Sequence, residues 1–468
     1  MALAAFRQLM ANQDIHGQKQ HLRSRNTFSK VFFALKFTFP KVLFACNCTF
    51  PKVFVPLQRD LRVSKFMDMQ DIEQLNQMLY NKLVETETTH HRYLYDQINW
   101  DNRLIGIKGA AGVGKTTLIL QHIKETMDDL SLVMYASLDN LWFQKYDLMD
   151  LVEYHYSHNG TYLFLDEIHY LKNWATYIKN IYDNYPKLHI VYTGSSILSI
   201  TKHEADLGRR QRVYMLHPMS FREFLMFEGY QPGNAVSIDA ILTNHINIAM
   251  QVIPKGQHIL PLFERYCQYG CYPFYKEEGD SFNERLQSTI RRVIENDLPQ
   301  VEDVSFSTIQ KTMKMLLILS ECVPLIPKMA ELYRELDTTR DSGLKMLNWL
   351  EKACLIHLVS AELRNLKSFS KPDKIYLNNP NLMYCLSSKV DKGTLRETFF
   401  YSQLHVSNEI VLPKQGDFLV NKCYTFEVGG KGKTFEQIKD VPNSYLAVDD
   451  IEIGTHNRIP LWMFGLLY

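Results

Sequence analysis

Short apolar runs alternate with amphipathic stretches along the first half of the chain. Each apolar run is bounded by polar or turn-forming residues, as expected for strands that are buried on both faces. These runs span residues 103–108, 131–137, 161–165, 188–196 and 213–216. Helical spans separate them, so the pattern predicts right-handed β-α-β crossovers and a parallel sheet in an α/β fold.

From residue 222 onwards, apolar positions recur with helical spacing. The amphipathic runs lie at 238–245, 284–294, 309–320, 328–336 and 339–352. Such spacing predicts helices that each bury one face. A chain of 468 residues is also too long for one hydrophobic core, so several domains are expected.

The most specific motif follows the first apolar run. It has the form G-x-x-x-x-G-K-[ST] and comprises Gly109, Ala110, Ala111, Gly112, Val113, Gly114, Lys115 and Thr116, with Thr117 in the helix that follows. In such a loop, backbone N–H groups turn towards phosphate oxygens, the lysine reaches the β- and γ-phosphates, and the threonine hydroxyl ligates Mg²⁺. The motif predicts a bound nucleoside triphosphate with Mg²⁺. A glycine-rich turn that binds nothing is the alternative.

Two carboxylates end the third apolar run, where a parallel sheet presents its ligand-binding edge. We expect Asp166 to hold the Mg²⁺ shell and Glu167 to orient the attacking water. Paired acids at a strand end can also be a solvated turn. Downstream of a phosphate loop, the catalytic interpretation is favoured.

The order of the motifs resembles that of bacterial and archaeal AAA-type ATPases known simply as ATP-binding proteins. The order is the phosphate loop, Leu-Asp-Glu-Ile-His at 165–169, Thr-Gly-Ser-Ser at 193–196, Gly-Arg-Arg at 208–210 and His-Pro-Met-Ser-Phe-Arg-Glu-Phe at 217–224. The resemblance extends from about Met67 to Tyr468. It implies ATP as the nucleotide, an ATPase core at 67–221, a helical lid at 222–304, and a chain that can form a homo-oligomer.

The resemblance also implies roles for polar residues downstream. Thr193, Ser195 or Ser196 would sense the γ-phosphate, although the serines could equally cap the next helix. Arg209 or Arg210 would be a catalytic arginine finger that stabilises transition-state charge. Closely spaced arginines are also typical of a solvated surface. The Tyr-Gly-Cys-Tyr-Pro stretch at 269–273 is similar to the family's Gly-Gly-Tyr-Pro turn, with one glycine replaced.

Residues 305–365 have the spacing of a winged helix-turn-helix. The last three helical runs would form its helices, and the apolar stretch 353–359 would start the wing. Arg340 and Lys345 on the third helix could enter a DNA major groove. The alternative is a packing module that makes no DNA contact.

The C-terminal segment, residues 366–468, carries a second group of acids. Glu397, Asp417 and Glu427 follow an order that resembles the PD-(D/E)XK nuclease core, in which such acids bind Mg²⁺ and a lysine helps to activate water. The lysine position of that motif is Gly429 here, and Lys431 lies two residues late. We therefore favour a nuclease-like α/β domain used for binding or assembly over an active nuclease.

Composition limits the function classes. The chain is 46% hydrophobic and 22% charged, and no stretch of about 18 apolar residues predicts a membrane span, so no membrane partner is expected. The eight cysteines are scattered without zinc-site or disulfide spacing, which favours a reducing cytoplasm. Residues 1–66 hold eleven Lys/Arg and two Asp/Glu, whereas the remainder is net acidic. Any nucleic-acid contact would therefore need a local basic patch.

The basic first 66 residues contain a near-repeat of eleven residues, at 27–31, 38–42 and 49–53. A membrane-surface or nucleic-acid arm is one interpretation. Prolines 40 and 51 oppose an amphipathic helix, and the composition changes abruptly at Met67. We therefore predict that residues 1–66 lie outside the functional fold and result from translation of upstream repeats.

Together these patterns predict a P-loop NTPase parallel sheet with a helical lid, followed by a winged helix and a nuclease-like α/β domain. The expected function is Mg²⁺-dependent ATP hydrolysis coupled to rearrangement of the C-terminal domains, with an unknown protein client. A slow nucleotide-dependent switch with little turnover is the alternative. An ATP-gated nuclease is a third hypothesis.

Overall fold

The structure is a computed structural model, and it describes residues 69–197, 207–253, 255–322, 328–361 and 372–468. The basic repeat segment, residues 1–66, lies outside the described residues. No helix among the described residues is long and apolar enough to cross a membrane.

A five-stranded parallel sheet forms the first half of the described chain. Its strands are β1 (Leu104–Gly109), β2 (Val133–Ser137), β3 (Tyr162–Asp166), β4 (His189–Ser195) and β5 (Arg212–Leu216), in the order β2-β3-β4-β1-β5. All pairs are parallel, as the apolar runs predicted. The register aligns Gly109 with Ser195 and Ser137 with Asp166, so the carboxyl ends of four strands share one edge.

Helices pack on this sheet, so that its inner strands are buried on both faces, whereas the edge strand β5 is partly exposed. Every residue of β1 is buried, which explains why these strands appear in the sequence as continuous apolar runs. The helices are α1 (Met69–Glu85), α2 (Lys115–Thr126), α3 (Trp142–Lys145), α4 (Leu148–Ser157) and α5 (Trp174–Asn184).

Residues 221–301, called the helical region below, follow β5. They form α6 (Phe221–Phe227), α7 (Ile238–Val252), α8 (Ile259–Tyr269), α9 (Tyr275–Glu278), α10 (Phe282–Arg292) and α11 (Leu298–Val301). The first of these begins at a capping box, in which the Ser220 hydroxyl and the Glu223 carboxylate satisfy each other's backbone N–H groups. A π-helical turn, Val293–Asp297, joins α10 to α11.

Three helices and a hairpin come next. They are α12 (Phe306–Glu321), α13 (Met329–Glu335), α14 (Arg340–Lys352) and the antiparallel strands β6 (Ile356–Val359) and β7 (Lys374–Leu377). Ser305 and Thr339 cap the first and third helix through their hydroxyls, which explains where these helices begin. This is the element order expected for residues 305–359, and the winged-helix assignment stays a prediction.

The chain ends in a second sheet packed on helices. Its elements are α15 (Pro380–Leu386), α16 (Lys392–Leu404), β8 (Ile410–Val411), β9 (Phe418–Val420), β10 (Tyr424–Gly429), β11 (Ser444–Val448) and β12 (Arg458–Pro460). The order is β12-β11-β10-β9-β8, antiparallel from β8 to β10 and parallel from β10 to β12. Buried phenylalanines on α16 and the strands, including Phe400 and Phe426, fill the core.

Candidate functional site

The phosphate loop joins β1 to α2 through two glycines in left-handed backbone conformations. Gly112 has φ 82° and Gly114 has φ 95°, which residues with a Cβ rarely adopt. The Lys115 side chain is buried, and its ammonium donates to the carbonyls of Gly109 (3.0 Å) and Ala110 (2.9 Å). The loop is therefore already curled around the N-terminus of α2, where the helix dipole favours an anion.

Asp166, at the end of β3, faces the loop. One of its carboxylate oxygens accepts from the Thr116 hydroxyl and from the Tyr135 hydroxyl, each at 2.8 Å. The other accepts from the Thr193 hydroxyl. Burial and the adjacent Asp166 charge raise the pKa of Tyr135 far above its usual range, so this phenol remains a donor. Three hydroxyls from three elements therefore orient this carboxylate.

Tyr135 was missed by the sequence reasoning. It lies on β2, opposite Phe164 of β3, and is the polar-tipped residue within an otherwise apolar run. A phenol in a strand next to the acidic strand is a weak signal, because most buried tyrosines find a partner somewhere.

Glu167 lies one residue past β3 in a left-handed conformation, with φ 52°. Its backbone N–H donates to the Thr193 hydroxyl at 3.1 Å. Its carboxylate is 3.3 Å from His169 Nδ1 and 3.5 Å from an Arg292 guanidinium nitrogen. This backbone conformation is energetically unfavourable for a residue with a Cβ, and such residues cluster at functional sites.

The three hydroxyl residues proposed as sensors lie in different surroundings. Thr193 bridges Asp166 and the backbone of Glu167. The Ser195 backbone N–H donates to the His169 ring at 3.4 Å. Ser196 contacts the half-buried Cys354, and burial raises the pKa of the Cys354 thiol. Thr193 is the one that touches both acids, and its role as sensor remains a prediction.

The turn at 269–273 lies directly over the phosphate loop. A Cβ at Gly112 would approach the Phe274 ring to 2.8 Å, and one at Gly114 would lie 3.6 Å from Pro273. Cys271 donates its N–H to the Asn381 side chain at 2.8 Å. The helical region and the C-terminal part of the chain therefore meet at this loop.

A buried ion pair between Arg92 and Glu223 lies next to the phosphate loop. Arg92 Nε lies 2.9 Å from Glu223 Oε1, with the two side chains 4% and 1% exposed. The same guanidinium donates to the carbonyls of Val113 and of His217 (2.7 Å). Arg92 therefore ties the phosphate loop to the start of α6. Neither Arg92 nor Glu223 was identified as a site residue by the sequence analysis.

A cavity of about 530 Å³ opens beside Gly114 and Thr117. Its lining includes Gln121, Phe227 and Pro273, together with polar and charged side chains. The His90 and Phe227 rings stack at its wall, 5.3 Å apart. A cavity of this size next to the last phosphate-loop residue has room for the nucleoside part of a nucleotide.

The two finger candidates differ in their contacts. Arg210 forms a two-pronged pair with Asp183, at 3.0 and 3.1 Å. Arg209 is exposed on the turn before β5, without a hydrogen bond or ion pair among the described residues. Arg340 and Lys345, the predicted DNA-contacting residues, are exposed on α14.

The C-terminal acids are paired within the protein. Glu397 accepts from Lys374 (2.5 Å) and from the Tyr376 hydroxyl (2.6 Å). Asp417 accepts from the Val428 N–H at 2.8 Å, and burial, reinforced by the nearby Glu397 charge, raises the pKa of Asp417 to about 6. No group of histidine, cysteine and acidic side chains in the described part of the chain has the arrangement of a metal site.

Glu427 has a partner that the sequence did not identify. Lys433 Nζ lies 2.5 Å from the buried Glu427 carboxylate, and a Cβ at Gly429 would meet the Lys433 stem at 2.7 Å. Lys433 thus fills the space that a side chain at position 429 would take. Lys431, by contrast, is exposed. Motif spacing does not show that the loop after β10 folds back and brings Lys433 to Glu427 on the same strand.

The sheet order, the phosphate loop after β1 and the acid pair after β3 define a P-loop NTPase fold. Comparison with known families agrees. Residues 101–225 match the AAA domain family, and residues 260–392 match a domain of unknown function. The first match contains both the phosphate loop and the acid pair, and so supports a P-loop ATPase of the AAA type.

Two uncharacterized proteins of Methanocaldococcus jannaschii are similar in sequence. The first is 26% identical over 311 residues, covering 60% of this chain and 65% of the relative. The second is 23% identical over 312 residues, covering 65% of this chain and 66% of the relative. The match thus spans slightly less than two thirds of either relative. AMPPCP-bound DnaA from Aquifex aeolicus is 13% identical over 61% of this chain and 93% of its own, with a TM-score of 0.25.

Proposed function

We propose that this chain binds Mg²⁺-ATP at residues 109–117 and hydrolyses it. The observation that carries the proposal is the contact between the Thr116 hydroxyl and the Asp166 carboxylate at 2.8 Å, with Glu167 as the next residue. A hydroxyl and a carboxylate are the hard oxygen ligands that suit Mg²⁺, which in nucleotide sites takes its remaining ligands from phosphates and water. These residues therefore fit the ion.

Each residue of the site has a distinct task. Bound Mg²⁺ would neutralise phosphate charge. Lys115, whose ammonium now rests on loop carbonyls, can turn to the β- and γ-phosphates because a charge-assisted contact is stronger than a neutral one. Glu167 would orient the attacking water. Because phosphoryl transfer passes through a loose transition state, positioning and charge neutralisation account for most of the catalysis.

The nucleoside would lie in the cavity beside Thr117. This cavity supports a nucleotide rather than inorganic phosphate as the ligand, since its volume of about 530 Å³ is continuous with the loop. ATP as the particular nucleotide rests on the family resemblance.

Contacts around the loop support coupling between nucleotide state and the C-terminal domains. The Tyr272 hydroxyl, next to the residues over the loop, accepts from Asn379 at 3.0 Å, and Asn379 and Asn381 are buried. Cys354, just before β6, reaches Ser196 at the end of β4. A change at the phosphate loop would therefore move surfaces that belong to the lid, the winged helix and the C-terminal domain.

The slow switch remains the second candidate, and one observation favours it. Glu167 is contacted by His169 and Arg292, so its carboxylate is not free to activate water in this arrangement. Under that hypothesis, ATP occupancy rearranges the domains with little turnover. Oligomerisation through Arg209, DNA contact through Arg340 and Lys345, and an unidentified protein client are further proposals.

The nuclease hypothesis has the weaker support. One observation favours it: the Lys433 side chain occupies the space that a side chain at residue 429 would take. However, Lys374 and Lys433 already neutralise Glu397 and Glu427. We propose a binding or assembly role for this domain.

The deciding experiment compares Glu167→Gln with Lys115→Ala. Glu167→Gln should bind ATP and fail to turn it over, whereas Lys115→Ala should bind ATP weakly. Glu153→Gln and Lys187→Ala change exposed residues of the same types and should behave like wild type. Phosphate release and equilibrium nucleotide binding are the measurements. If both site variants hydrolyse ATP as fast as the wild type, the assignment of the site is contradicted. If the wild-type protein binds ATP tightly but does not hydrolyse it, the switch is favoured.

A further inference from the structure

The π-helical turn Val293–Asp297 places a carboxylate in the protein interior. The Asp297 side chain is fully buried, and its Oδ2 has no hydrogen-bond partner. Its Oδ1 lies 3.5 Å from the Tyr170 hydroxyl and 3.5 Å from His169 Nε2. Burying a carboxylate with so few partners is costly, so stability does not explain its presence. Single π-helical turns are also frequent at functional sites.

His169 lies between this carboxylate and the proposed catalytic one. Its ring is completely buried, with Nδ1 3.3 Å from Glu167 Oε2 and Nε2 3.5 Å from Asp297 Oδ1. The Ser195 N–H also points to Nδ1, at 3.4 Å. Three groups, from the end of β3, from β4 and from the helical region, therefore converge on one imidazole.

A neutral imidazole carries a single N–H, so it cannot donate a hydrogen bond to both carboxylates at once. When Nδ1 accepts from the Ser195 N–H, the ring proton is on Nε2 and faces Asp297. When the proton is on Nδ1, it faces Glu167 instead. The distances of 3.3 to 3.5 Å are long for strong hydrogen bonds, so a small shift of the helical region would decide which contact tightens.

The same segment reaches the other oxygen of Glu167. Arg292, at the end of α10, lies 3.5 Å from Glu167 Oε1 and is 46% exposed. An ion pair of this length with one solvent-exposed partner is weak and easily broken. Residues 292–297 thus contact the Glu167 carboxylate directly at one oxygen and through His169 at the other.

We propose that His169 and Asp297 are positioning residues that set the orientation of the Glu167 carboxylate according to the position of the helical region. The proposal rests on the ATPase function proposed above. In it, Asp297 holds the imidazole, the imidazole holds Glu167 Oε2, and breaking the Arg292 contact frees Oε1 for water. Neither residue is placed in contact with ATP.

Asp297→Asn tests the proposal because it keeps the shape and removes the charge. We expect kcat to fall roughly 10- to 100-fold, since misplacing a catalytic group costs about that much. KM and equilibrium ATP affinity should stay within about twofold, and the melting temperature should not fall, because the amide replaces a buried carboxylate that has few partners. Glu295 is an exposed carboxylate in the same turn, so Glu295→Gln is the matched control. It should leave kcat, KM, ATP affinity and the melting temperature unchanged.

A second variant series separates positioning from packing. His169→Gln should retain more activity than His169→Ala, because the amide can still donate to Glu167. In both, ATP should remain bound. If the two variants lose activity equally and lose ATP binding as well, His169 is a packing residue and the proposal is wrong.

Hydrogen exchange provides a readout that does not depend on turnover. A non-hydrolysable ATP analogue should change the exchange of residues 167–171 and of 292–301 together in wild type. In Asp297→Asn, the change at 292–301 should be reduced or lost while analogue binding persists. Equal coupling in both proteins would overturn the proposal.

The outcomes also separate this proposal from the proposed function. Wild-type turnover that is abolished by Glu167→Gln and unaffected by Asp297→Asn would refute only the positioning role. A wild-type chain without turnover would refute the ATPase function and this inference with it.

Discussion

Arg92→Leu is the change from which we expect the largest loss of stability. It removes the cation of the ion pair with Glu223, in which both side chains are almost fully buried. It also removes the donors to Val113 and His217, which join the phosphate loop to α6. Leucine leaves no group that can reach the Glu223 carboxylate, so a buried charge loses its partner.

The magnitude follows from burial. Breaking a buried ion pair from one side costs about 3 to 5 kcal/mol, because the remaining charge is neither solvated nor paired. Glu223 keeps two backbone donors, Tyr93 N–H at 2.7 Å and Ser220 N–H at 3.0 Å, which places the expected loss near the lower figure. The more exposed pair of Arg285 and Glu278, at a similar distance of 3.0 Å, provides the control. Arg285→Leu should cost only about 0 to 1 kcal/mol.

Urea unfolding followed by tryptophan fluorescence measures both values. With a slope of about 3 kcal/mol per molar, Arg92→Leu should lower the midpoint by about 1 M. Adding Glu223→Gln to Arg92→Leu should recover part of the loss, since the uncompensated charge is then gone. If Arg92→Leu costs no more than Arg285→Leu, or if the double variant is less stable than the single one, the reasoning from burial is wrong.

Other predictions concern the sites. Lys115→Ala should lose about 1.5 to 3 kcal/mol of nucleotide binding in equilibrium titration, because a charge-assisted contact is removed; unchanged affinity would contradict this. If Arg209 acts in trans, wild-type turnover per subunit should rise with protein concentration and Arg209→Ala should flatten that rise, whereas Arg210→Ala should keep it; a flat wild-type rate would exclude the finger. Burial raises the pKa of Asp417 to about 6, so its protonation stabilises the fold at low pH and this stability, up to about 3 kcal/mol, is lost as the pH rises from about 4 to 6. Asp417→Asn should remove that slope in denaturation series, and an unchanged slope would refute the assignment. Finally, no Mg²⁺- or Mn²⁺-dependent cleavage of DNA or RNA is expected, and cleavage abolished by Glu427→Gln would overturn this.

Much of the fold was predictable because its signals are local. Strands buried on both faces need continuous apolar residues, and a loop around phosphate needs glycine where φ is positive, as at Gly112 and Gly114. The parallel sheet and the P-loop fold were therefore confirmed. The placement of Asp166 at the edge beside the loop follows from parallel pairing, which brings all carboxyl ends together.

The partners of the site residues could not be predicted in the same way. Arg92 and Glu223 are 131 residues apart, and Lys433 returns to Glu427 through a loop that motif spacing does not describe. Which of Thr193, Ser195 and Ser196 contacts the acids depended on which hydroxyl the end of β4 turns towards them. These are questions of how elements pack, and a pattern within one element contains no information about its neighbour.

The sequence by itself therefore determined the elements, the loop and the acids, because each depends on a few adjacent residues. Only the tertiary structure decided that Tyr135 and Thr193 hold Asp166, and that His169 and Asp297 face Glu167. Those contacts join segments that are distant along the chain. Their energies depend on burial and on distances of a few ångströms, and these quantities exist only once the helical region has packed against the sheet.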